Sequence, residues 1–145
     1  MQEILYHGTD LKFDAFDLSK CKKCLFGNGV YLSSSKAVAE CYGDNILTCV
    51  VDSNKIIEND TLTFDIQKDI LKEVKKYLTN NIELKYYLDE ESIFFIRNLQ
   101  NYLTEKGKEK LCNVLCNMGY DGMRTKAHET YNNYVIYNLN TIKII

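Results

Sequence analysis

Apolar residues follow two different spacings along the chain, and the change between them divides the sequence into three parts. The first and last parts hold short apolar runs separated by turn residues, which is typical of β-strands. The middle part repeats apolar residues every three or four positions, as an amphipathic helix does. This order predicts an α+β fold with a mostly antiparallel sheet, because the regular strand–helix alternation of a parallel sheet is missing.

In the first part, turn and capping residues mark the ends of the elements. The serines at 33–35 are typical helix caps, and Gly43 is placed to end the helix that follows. The predicted elements are strands over Ile4–Tyr6, Val30–Leu32 and Ile46–Val51, a turn at His7–Asp10, and a short helix over Lys36–Tyr42.

In the middle part, Asp65–Leu78 places its apolar residues on one helical face, and Glu105–Met118 forms a further helix with Gly119 as a left-handed stop. The other predicted elements are one or two helices within Leu84–Leu103, a polar loop at Thr125–Thr130, and strands over Met123–Thr125, Asn133–Tyr137 and Ile142–Ile145. We therefore expect one domain over residues 1–145, with a helical insert at about 61–118 between its strand-rich ends.

Composition and charge narrow the classes of function. The chain has 145 residues and a net charge of −2. Binders of nucleic acid or of anionic membranes usually carry a basic surplus, so nucleic acid is disfavoured as a partner and no membrane is expected. Arg97 and Arg124 are the only arginines, which excludes a binding face built on several guanidinium groups.

The N-terminus and the cysteines indicate a reducing compartment. The first residues include an acid and no basic cluster, so we predict no signal peptide and a cytoplasmic location. The six cysteines are then expected to be thiols. Cys21 and Cys24 have zinc-ribbon spacing, but Cys112 and Cys116 fall within a helical apolar pattern. Buried thiols are therefore favoured over a zinc site, and no metal is predicted.

Three segments carry residue types suited to a planar ligand. In the first, His7 is followed by Gly8 and Thr9, and a glycine lets a ligand approach the backbone because it has no Cβ. A histidine that caps a turn would explain this segment equally well.

In the second segment, Gly27 and Gly29 precede Tyr31, and Tyr42 follows eleven residues later. Leu32 stands where a dinucleotide fingerprint needs its third glycine, so that motif is excluded. Two tyrosines that face one cleft could hold a flat heterocycle between them, although core tyrosines are the simpler explanation.

The third segment is the strand over Asn133–Tyr137, which places Asn133, Val135 and Tyr137 on one face. His128 and Glu129, on the polar loop before it, are the nearest titratable groups. Considered alone, this segment is a surface loop that leads into a core strand.

In this order, the three segments resemble the ADP-ribosyltransferase superfamily, in its diphtheria-toxin-like branch with a His–Tyr–Glu triad, which includes poly(ADP-ribose) polymerases. The resemblance covers the two strand-rich ends, about half of the chain, and implies a split β core that binds NAD as co-substrate. It also implies residue roles. His7 would hold the adenosine ribose, the backbone of Gly8, with Thr9 beside it, would bind the nicotinamide amide, and Tyr31 and Tyr42 would stack on the nicotinamide ring.

The chain departs from the family pattern at the third triad position, where Asn133 stands in place of a Glu. An amide accepts a ribose hydroxyl but carries no negative charge. Either Glu129 acts as the catalytic acid, or the site binds NAD with little turnover. Small phage-encoded anti-CRISPR ADP-ribosyltransferases are similar in layout, with an acid on the corresponding loop, which favours Glu129.

The resemblance implies an NAD-dependent mono-ADP-ribosyltransferase in which His7, Glu129 and Asn133 are the catalytic candidates. Its expected target is a protein, such as a host defence or CRISPR effector complex. One alternative is an NAD- or ADP-ribose-binding module that inhibits by occlusion. Another is an enzyme that modifies nucleic acid, against which the acidic net charge argues.

Overall fold

The computed structural model of the chain describes residues 2–17, 23–24 and 27–145, without the side chains of residues 23–24, 27–28 and 126–128. The strands are β1 (Gln2–Thr9), β2 (Lys23–Cys24), β3 (Gly27–Asn28), β4 (Val30–Ser33), β5 (Asn45–Asp52), β6 (Ile56–Ile57), β7 (Gly122–His128), β8 (Tyr131–Ile136) and β9 (Ile142–Ile144). The helices are α1 (Lys36–Glu40), α2 (Phe64–Val74), α3 (Ser92–Tyr102) and α4 (Glu105–Asn117). Strand-rich ends flank a helical middle, so the predicted α+β class is confirmed.

The larger sheet contains seven of the described strands, in the order β6-β7-β8-β4-β1-β5-β9. Its neighbouring strands are antiparallel, except that β6 and β7 are parallel. The mostly antiparallel sheet predicted from the sequence is therefore confirmed. The short strand β6 and the separate β2–β3 pair were not predicted, because two-residue strands leave no periodic signal.

The sheet is split at its centre, between β1 and β4. Among the described residues these two strands share one pair, Tyr6 with Ser33, whereas β1 pairs with β5 along its whole length. The strands therefore separate just beyond Tyr6, where β1 continues through His7, Gly8 and Thr9.

One apolar core lies on the face of the sheet that carries His7, and we name it the sheet-enclosed core. Its buried members in the described chain come from both sides of the split and from none of the four helices: Leu5, Val30, Leu32, Cys49, Val51, Tyr134 and Ile136. Two residues outside the sheet, Phe16 after β1 and Leu139 after β8, also pack against this core and help to cover it.

The opposite face of β4, β8 and β7 packs against the insert, and we name this region the helix-facing core. Its buried members are Ile57, Leu62, Ile70, Leu71, Val74, Tyr87, Phe95, Ile96, Leu99, Leu103, Leu111, Cys112, Val114, Leu115, Tyr120, Met123, Val135 and Tyr137. Tyr134 and Ile136 lie in one core and Val135 and Tyr137 in the other, as the predicted strand alternation requires.

The helices begin and end where capping residues indicate. Ser35, Thr63 and Thr104 each accept a hydrogen bond from a backbone N–H in the first turn of α1, α2 and α4. Gly119 has a φ of +93°, the left-handed conformation predicted for the end of α4. No helix in the described part of the chain is both long enough and apolar enough to cross a bilayer.

Two predicted loops are wrong, and both are strand in the structure. The turn expected at His7–Asp10 is absent because Gly8 and Thr9 pair with Ile46 and Asn45 of β5. Local residue types favoured a turn, and pairing along β5 overrides them.

The polar loop expected at Thr125–Thr130 is a hairpin. β7 continues to His128, which pairs with Tyr131 of β8, so the turn contains only Glu129 and Thr130. Of the three serines predicted as caps, Ser33 is instead the last residue of β4.

Candidate functional site

His7 connects the two sides of the split. Its Nδ1 lies 2.8 Å from the carbonyl oxygen of Tyr31. Because an oxygen can only accept, this contact places the proton on Nδ1 and makes Nε2 the acceptor of the neutral ring. The imidazole also packs edge-on against Phe16, with ring centroids 5.1 Å apart, and 6.2 Å from Phe13. The ring is therefore held at the opening of the split in one tautomer.

Gly8 lets α1 lie directly against β1. A Cβ at this position would be 1.8 Å from the carbonyl oxygen of Ala39 and 3.3 Å from the Cβ of Tyr42. No other residue fits there without moving α1. The bare backbone of Gly8 therefore lies beside Tyr42, whose side chain is 68% exposed.

Tyr31 lies on β4 with its side chain against the helix-facing core, opposite in direction to Val30 and Leu32. It is half-buried and close to Tyr137. Burial raises the pKa of Tyr137 well above its ordinary value, and the neighbouring Tyr31 raises it further. Tyr137 is therefore a neutral hydroxyl, and the pocket wall behind Tyr31 carries no charge from it.

A row of directly paired residues crosses four strands beside the split: Tyr6, Ser33, Asn133 and Thr125. Asn133 Oδ1 is buried and has no hydrogen-bond partner among the described residues. Since buried polar atoms are rarely left without a partner, this oxygen is an acceptor available to a ligand. Asn133 is also diagonal to Tyr31, because Tyr31 pairs with Val135.

Glu129 is exposed in the two-residue turn at the tip of the β7–β8 hairpin. It precedes Asn133 by four residues, which separates the two backbones by about 13 Å along an extended strand. The structure therefore does not bring this carboxylate next to Asn133.

The predicted residues surround the split but point to both faces of the sheet. His7 points to the face of the sheet-enclosed core, whereas Tyr31 and Asn133 point to the opposite face. Thr9 ends β1, and its Oγ1 accepts a hydrogen bond from the backbone of Leu11. The side chains thus line a gap between strands and do not enclose one common chamber.

Two open cavities are lined by described residues, and none of His7, Tyr31, Tyr42 and Asn133 lines either of them. One, of about 650 Å³, includes Phe16, whose ring contacts His7. The other, of about 510 Å³, includes Ile46, which pairs with Gly8.

Two residues near Asn133 were not among the predicted site residues: Ser33, which pairs with Asn133, and Arg124, which lies on the opposite face of the sheet. Ser33 is buried between Tyr6 and Asn133, and its Oγ accepts from the backbone of Ser35. On the opposite face, Arg124 forms an ion pair with Glu58 and a hydrogen bond with Tyr134. Burial raises the pKa of Tyr134. Arg124 is one of only two arginines, which was the one signal available in the sequence.

Comparisons with known proteins bear on the fold and on the family of this chain. A solved structure described as "Crystal structure of an anti-CRISPR protein" superposes with a TM-score of 0.51, over 100% of this chain and 96% of that one. The two sequences are 14% identical, so the likeness concerns the fold. No curated protein is similar in sequence. The profile of a family described as "ART-PolyVal: ADP-Ribosyltransferase in polyvalent proteins" matches residues 2–145, and the chain therefore belongs to this family of ADP-ribosyltransferases.

Proposed function

We propose that the protein is a mono-ADP-ribosyltransferase that takes NAD into the split between β1 and β4 and modifies a protein. Family membership supports the reaction class. The observation that carries the proposal is the opening of the sheet beyond Tyr6, where His7 bridges the two strands and Gly8 has no paired residue on β4. We place its action in the cytoplasm, on a component of a bacterial defence such as a CRISPR effector complex, which the similarly folded anti-CRISPR protein favours.

Nicotinamide fits beside Gly8 and Tyr42. An amide can pair with the edge of the Gly8 backbone that faces the split, since Gly8 has no paired residue on β4, and Tyr42 offers an exposed ring next to it. Stacking on an aromatic ring contributes about 0.5–1.5 kcal/mol beyond the area it buries. Tyr31, on the other side of the split, supplies the second ring.

The two riboses of NAD each find a hydrogen-bond acceptor, the adenosine ribose at His7 and the nicotinamide ribose at Asn133. His7 Nε2 accepts a hydroxyl hydrogen in the tautomer that its bond to Tyr31 selects. Asn133 Oδ1 accepts another, which would satisfy the buried oxygen that has no partner in the described chain. Both groups are neutral in this arrangement. Neither supplies the negative charge that would stabilise the positive charge developing on the ribose when the nicotinamide bond breaks.

Glu129 supplies that charge in our proposal. The β7–β8 hairpin joins Asn133 to Glu129 directly, so bending the hairpin tip toward the split would bring the carboxylate to the ribose. A bound target could hold the tip in that position, which would couple transfer to recognition of the right protein.

A second candidate function is an NAD-binding module with little turnover. The observations in its favour are the amide at position 133 and the distance of Glu129 from it. Such a protein would inhibit its target by covering a surface.

The two functions are separated by incubating the protein with NAD and a purified CRISPR effector complex and measuring intact masses. An ADP-ribosyltransferase adds the mass of one ADP-ribose to a target subunit and releases nicotinamide. Retained NAD binding without transfer or nicotinamide release supports the module. Absence of NAD binding in calorimetry contradicts both.

Variants of Glu129 and Asn133 test which of the two acts as the third member of the triad. Glu129→Gln is expected to abolish transfer while NAD affinity stays nearly unchanged, because the amide keeps the shape and loses the charge. Glu90→Gln, also exposed but on the insert, is the matched control and should transfer normally. If Glu129→Gln remains active and Asn133→Ala does not, Asn133 is the essential residue and our assignment of Glu129 is wrong.

A further inference from the structure

Four of the six cysteines form two pairs whose spacing matches a structural zinc site. Two residues separate Cys21 from Cys24, and three separate Cys112 from Cys116. Structural zinc sites often combine a C-x-x-C pair with a second pair of ligands that have roughly three to five residues between them. Spacing in the sequence does not show whether the two pairs meet, which is why separate buried thiols were favoured. The fold supplies the missing information.

The pair on α4 suits a shared metal ion. Cys112 and Cys116 are one helical turn apart, so their side chains share a face. Cβ atoms at this spacing are about 5–6 Å apart, whereas a disulfide requires about 3.5–4.5 Å. Two thiolates on one tetrahedral zinc ion have their sulfurs about 3.8 Å apart, which side chains at this spacing can reach. The two thiols can therefore bind one ion although they cannot bond to each other.

The β2–β3 pair of strands lies against the same part of α4. Cα atoms of β3 come within 8 Å of Cα atoms of α4. Gly29, the residue after β3, lies against Ile136, because a Cβ on Gly29 would be 2.7 Å from the carbonyl oxygen of Ile136. The next residue, Tyr137, is close to both Cys112 and Cys116. The strand β3 therefore approaches α4 where the two thiols are.

Cys24 belongs to this pair of strands. It ends β2 and pairs directly with Gly27 of β3. Paired Cα atoms in an antiparallel ladder are about 4.5–5.5 Å apart, so the backbone of Cys24 lies beside the strand that approaches α4. Among the side chains that the structure describes, no group of three His, Cys, Asp or Glu residues could hold a metal. The pair on α4 therefore needs thiols from this neighbouring segment to complete a site.

We propose that the β2–β3 pair and α4 together hold one structural Zn²⁺ ion, with Cys24, Cys112 and Cys116 among its ligands. The C-x-x-C spacing makes Cys21, which lies outside the described residues, the fourth thiol. Each thiol gives up its proton when it binds, and no electron is transferred. The two lysines between Cys21 and Cys24 oppose the negative charge of four thiolates. Four protein ligands close the coordination sphere, so this zinc has no position for substrate.

Such a site would fasten the helical insert to the strand that carries Tyr31. The strand β3 continues through Gly29 into β4, and α4 belongs to the insert. Because the ligands come from segments far apart in the chain, the site forms only on folding, and zinc binding then stabilises the folded state. The metal takes no part in the proposed reaction of NAD, so the two proposals can fail separately.

The test is the zinc content of the full chain, purified without a histidine tag from cells grown with added zinc. Inductively coupled plasma mass spectrometry is expected to find about one zinc ion per chain. Co²⁺ bound in place of zinc should show the visible absorption of tetrahedral thiolate coordination. A protein that carries no zinc and binds no Co²⁺ overturns the proposal, as does an octahedral cobalt spectrum, which indicates oxygen ligands.

Variants of single cysteines show which thiols hold the ion. Cys24→Ser and Cys112→Ser should each lose zinc, whereas Cys41→Ser, which changes an exposed cysteine next to α1, is the control and should keep it. Zinc retained by Cys24→Ser or by Cys112→Ser, or lost from Cys41→Ser, contradicts the assignment.

A measurement on the parent protein covers the case in which a variant loses zinc by failing to fold. Removing zinc with a chelator should raise amide hydrogen exchange in β3 and at the end of α4, and leave β5 unchanged. Unaltered exchange in β3 after complete removal of the metal would show that zinc does not join these two segments.

Discussion

The two apolar cores of this protein are built in different ways. The helix-facing core combines α2, α3 and α4 with one face of the sheet, and its largest fully buried side chain is Phe95. The buried members of the sheet-enclosed core in the described chain come from strands on both sides of the split and from none of the four helices. The first core supports the insert, and the second joins the two sides of the split.

The strand β4 belongs to both cores and shows what this difference means for the site. Val30 and Leu32 lie in the sheet-enclosed core, while Tyr31 between them packs against the helix-facing core. The position of Tyr31 therefore depends on both, but His7, which bonds to its carbonyl, lies on the face of the sheet-enclosed core. Changes in the sheet-enclosed core should consequently affect ligand binding more than equal changes in the helix-facing core.

The largest effect on stability is expected from Phe95→Ala. Removing this fully buried ring should lower the free energy of unfolding by about 3–5 kcal/mol, measured by urea denaturation, because it leaves a cavity among the helices. The NAD affinity of the folded protein should not change. Leu32→Ala in the other core should cost about 2–5 kcal/mol and weaken NAD binding as well. Equal NAD affinities in the two variants would contradict the distinction between the cores.

A smaller loss of stability is expected from Gly8→Ala. The added methyl group would overlap the carbonyl of Ala39, so α1 must move away from β1 at a cost of about 1–3 kcal/mol. The same shift displaces Tyr42, and calorimetry should show weaker NAD binding. A variant that binds NAD as the parent does would place the nicotinamide away from Gly8.

Two equally exposed tyrosines, one at the candidate site and one on the insert, allow a direct comparison of the two regions. Tyr42 and Tyr86 are each 68% exposed, so replacing either with Ala should change stability very little. Tyr42→Ala should weaken NAD binding by about 0.5–1.5 kcal/mol through loss of stacking. Tyr86→Ala is the control and should bind normally. If both variants bind NAD like the parent, Tyr42 has no stacking role.

The smallest expected effect is on the free energy of unfolding at acidic pH, and it concerns Asp121, which directly precedes β7. Burial acts to raise the pKa of Asp121, but hydrogen bonds from the backbone of Asn54, the side chain of Asn138 and the backbone of Lys55 outweigh it, and the pKa is lowered. A carboxyl whose pKa is lower in the folded state stabilises the fold above its unfolded pKa and loses this contribution as pH falls through the folded value. Urea denaturation between neutral and acidic pH should therefore show a shallower loss for Asp121→Asn than for the parent. Identical slopes would show that Asp121 does not contribute.

Much of the fold could be predicted because periodicity is a local property. The helix over Glu105–Asn117 lies where apolar spacing and Gly119 predicted it. The helix over Phe64–Val74 begins as apolar spacing predicted and ends four residues before Leu78. The segments that were predicted as loops and are strands, around Gly8 and around His128, have turn-forming or polar residues locally. Their conformation comes from hydrogen bonds to β5 and β8, which local sequence does not reveal.

The candidate site was predictable only as a set of residues. The three segments and their order led to an ADP-ribosyltransferase, and the family to which the chain belongs agrees. Their geometry was not predictable. Pairing of β4 with β1 and with β8, which are distant in the chain, places Ser33 between Tyr6 and Asn133. The pairing of β7 with β8 extends to His128 and places Glu129 at the exposed tip of a hairpin.

The amino-acid sequence by itself determined which face each strand residue presents and where α2 and α4 begin, since both depend on backbone periods of two and 3.6 residues. Tertiary structure alone decided that the sheet opens after Tyr6, that a carbonyl of β4 selects the tautomer of His7, and that the buried amide oxygen of Asn133 has no partner among the described residues. These features depend on pairing and packing between strands that are far apart in the chain, and no local segment contains those contacts.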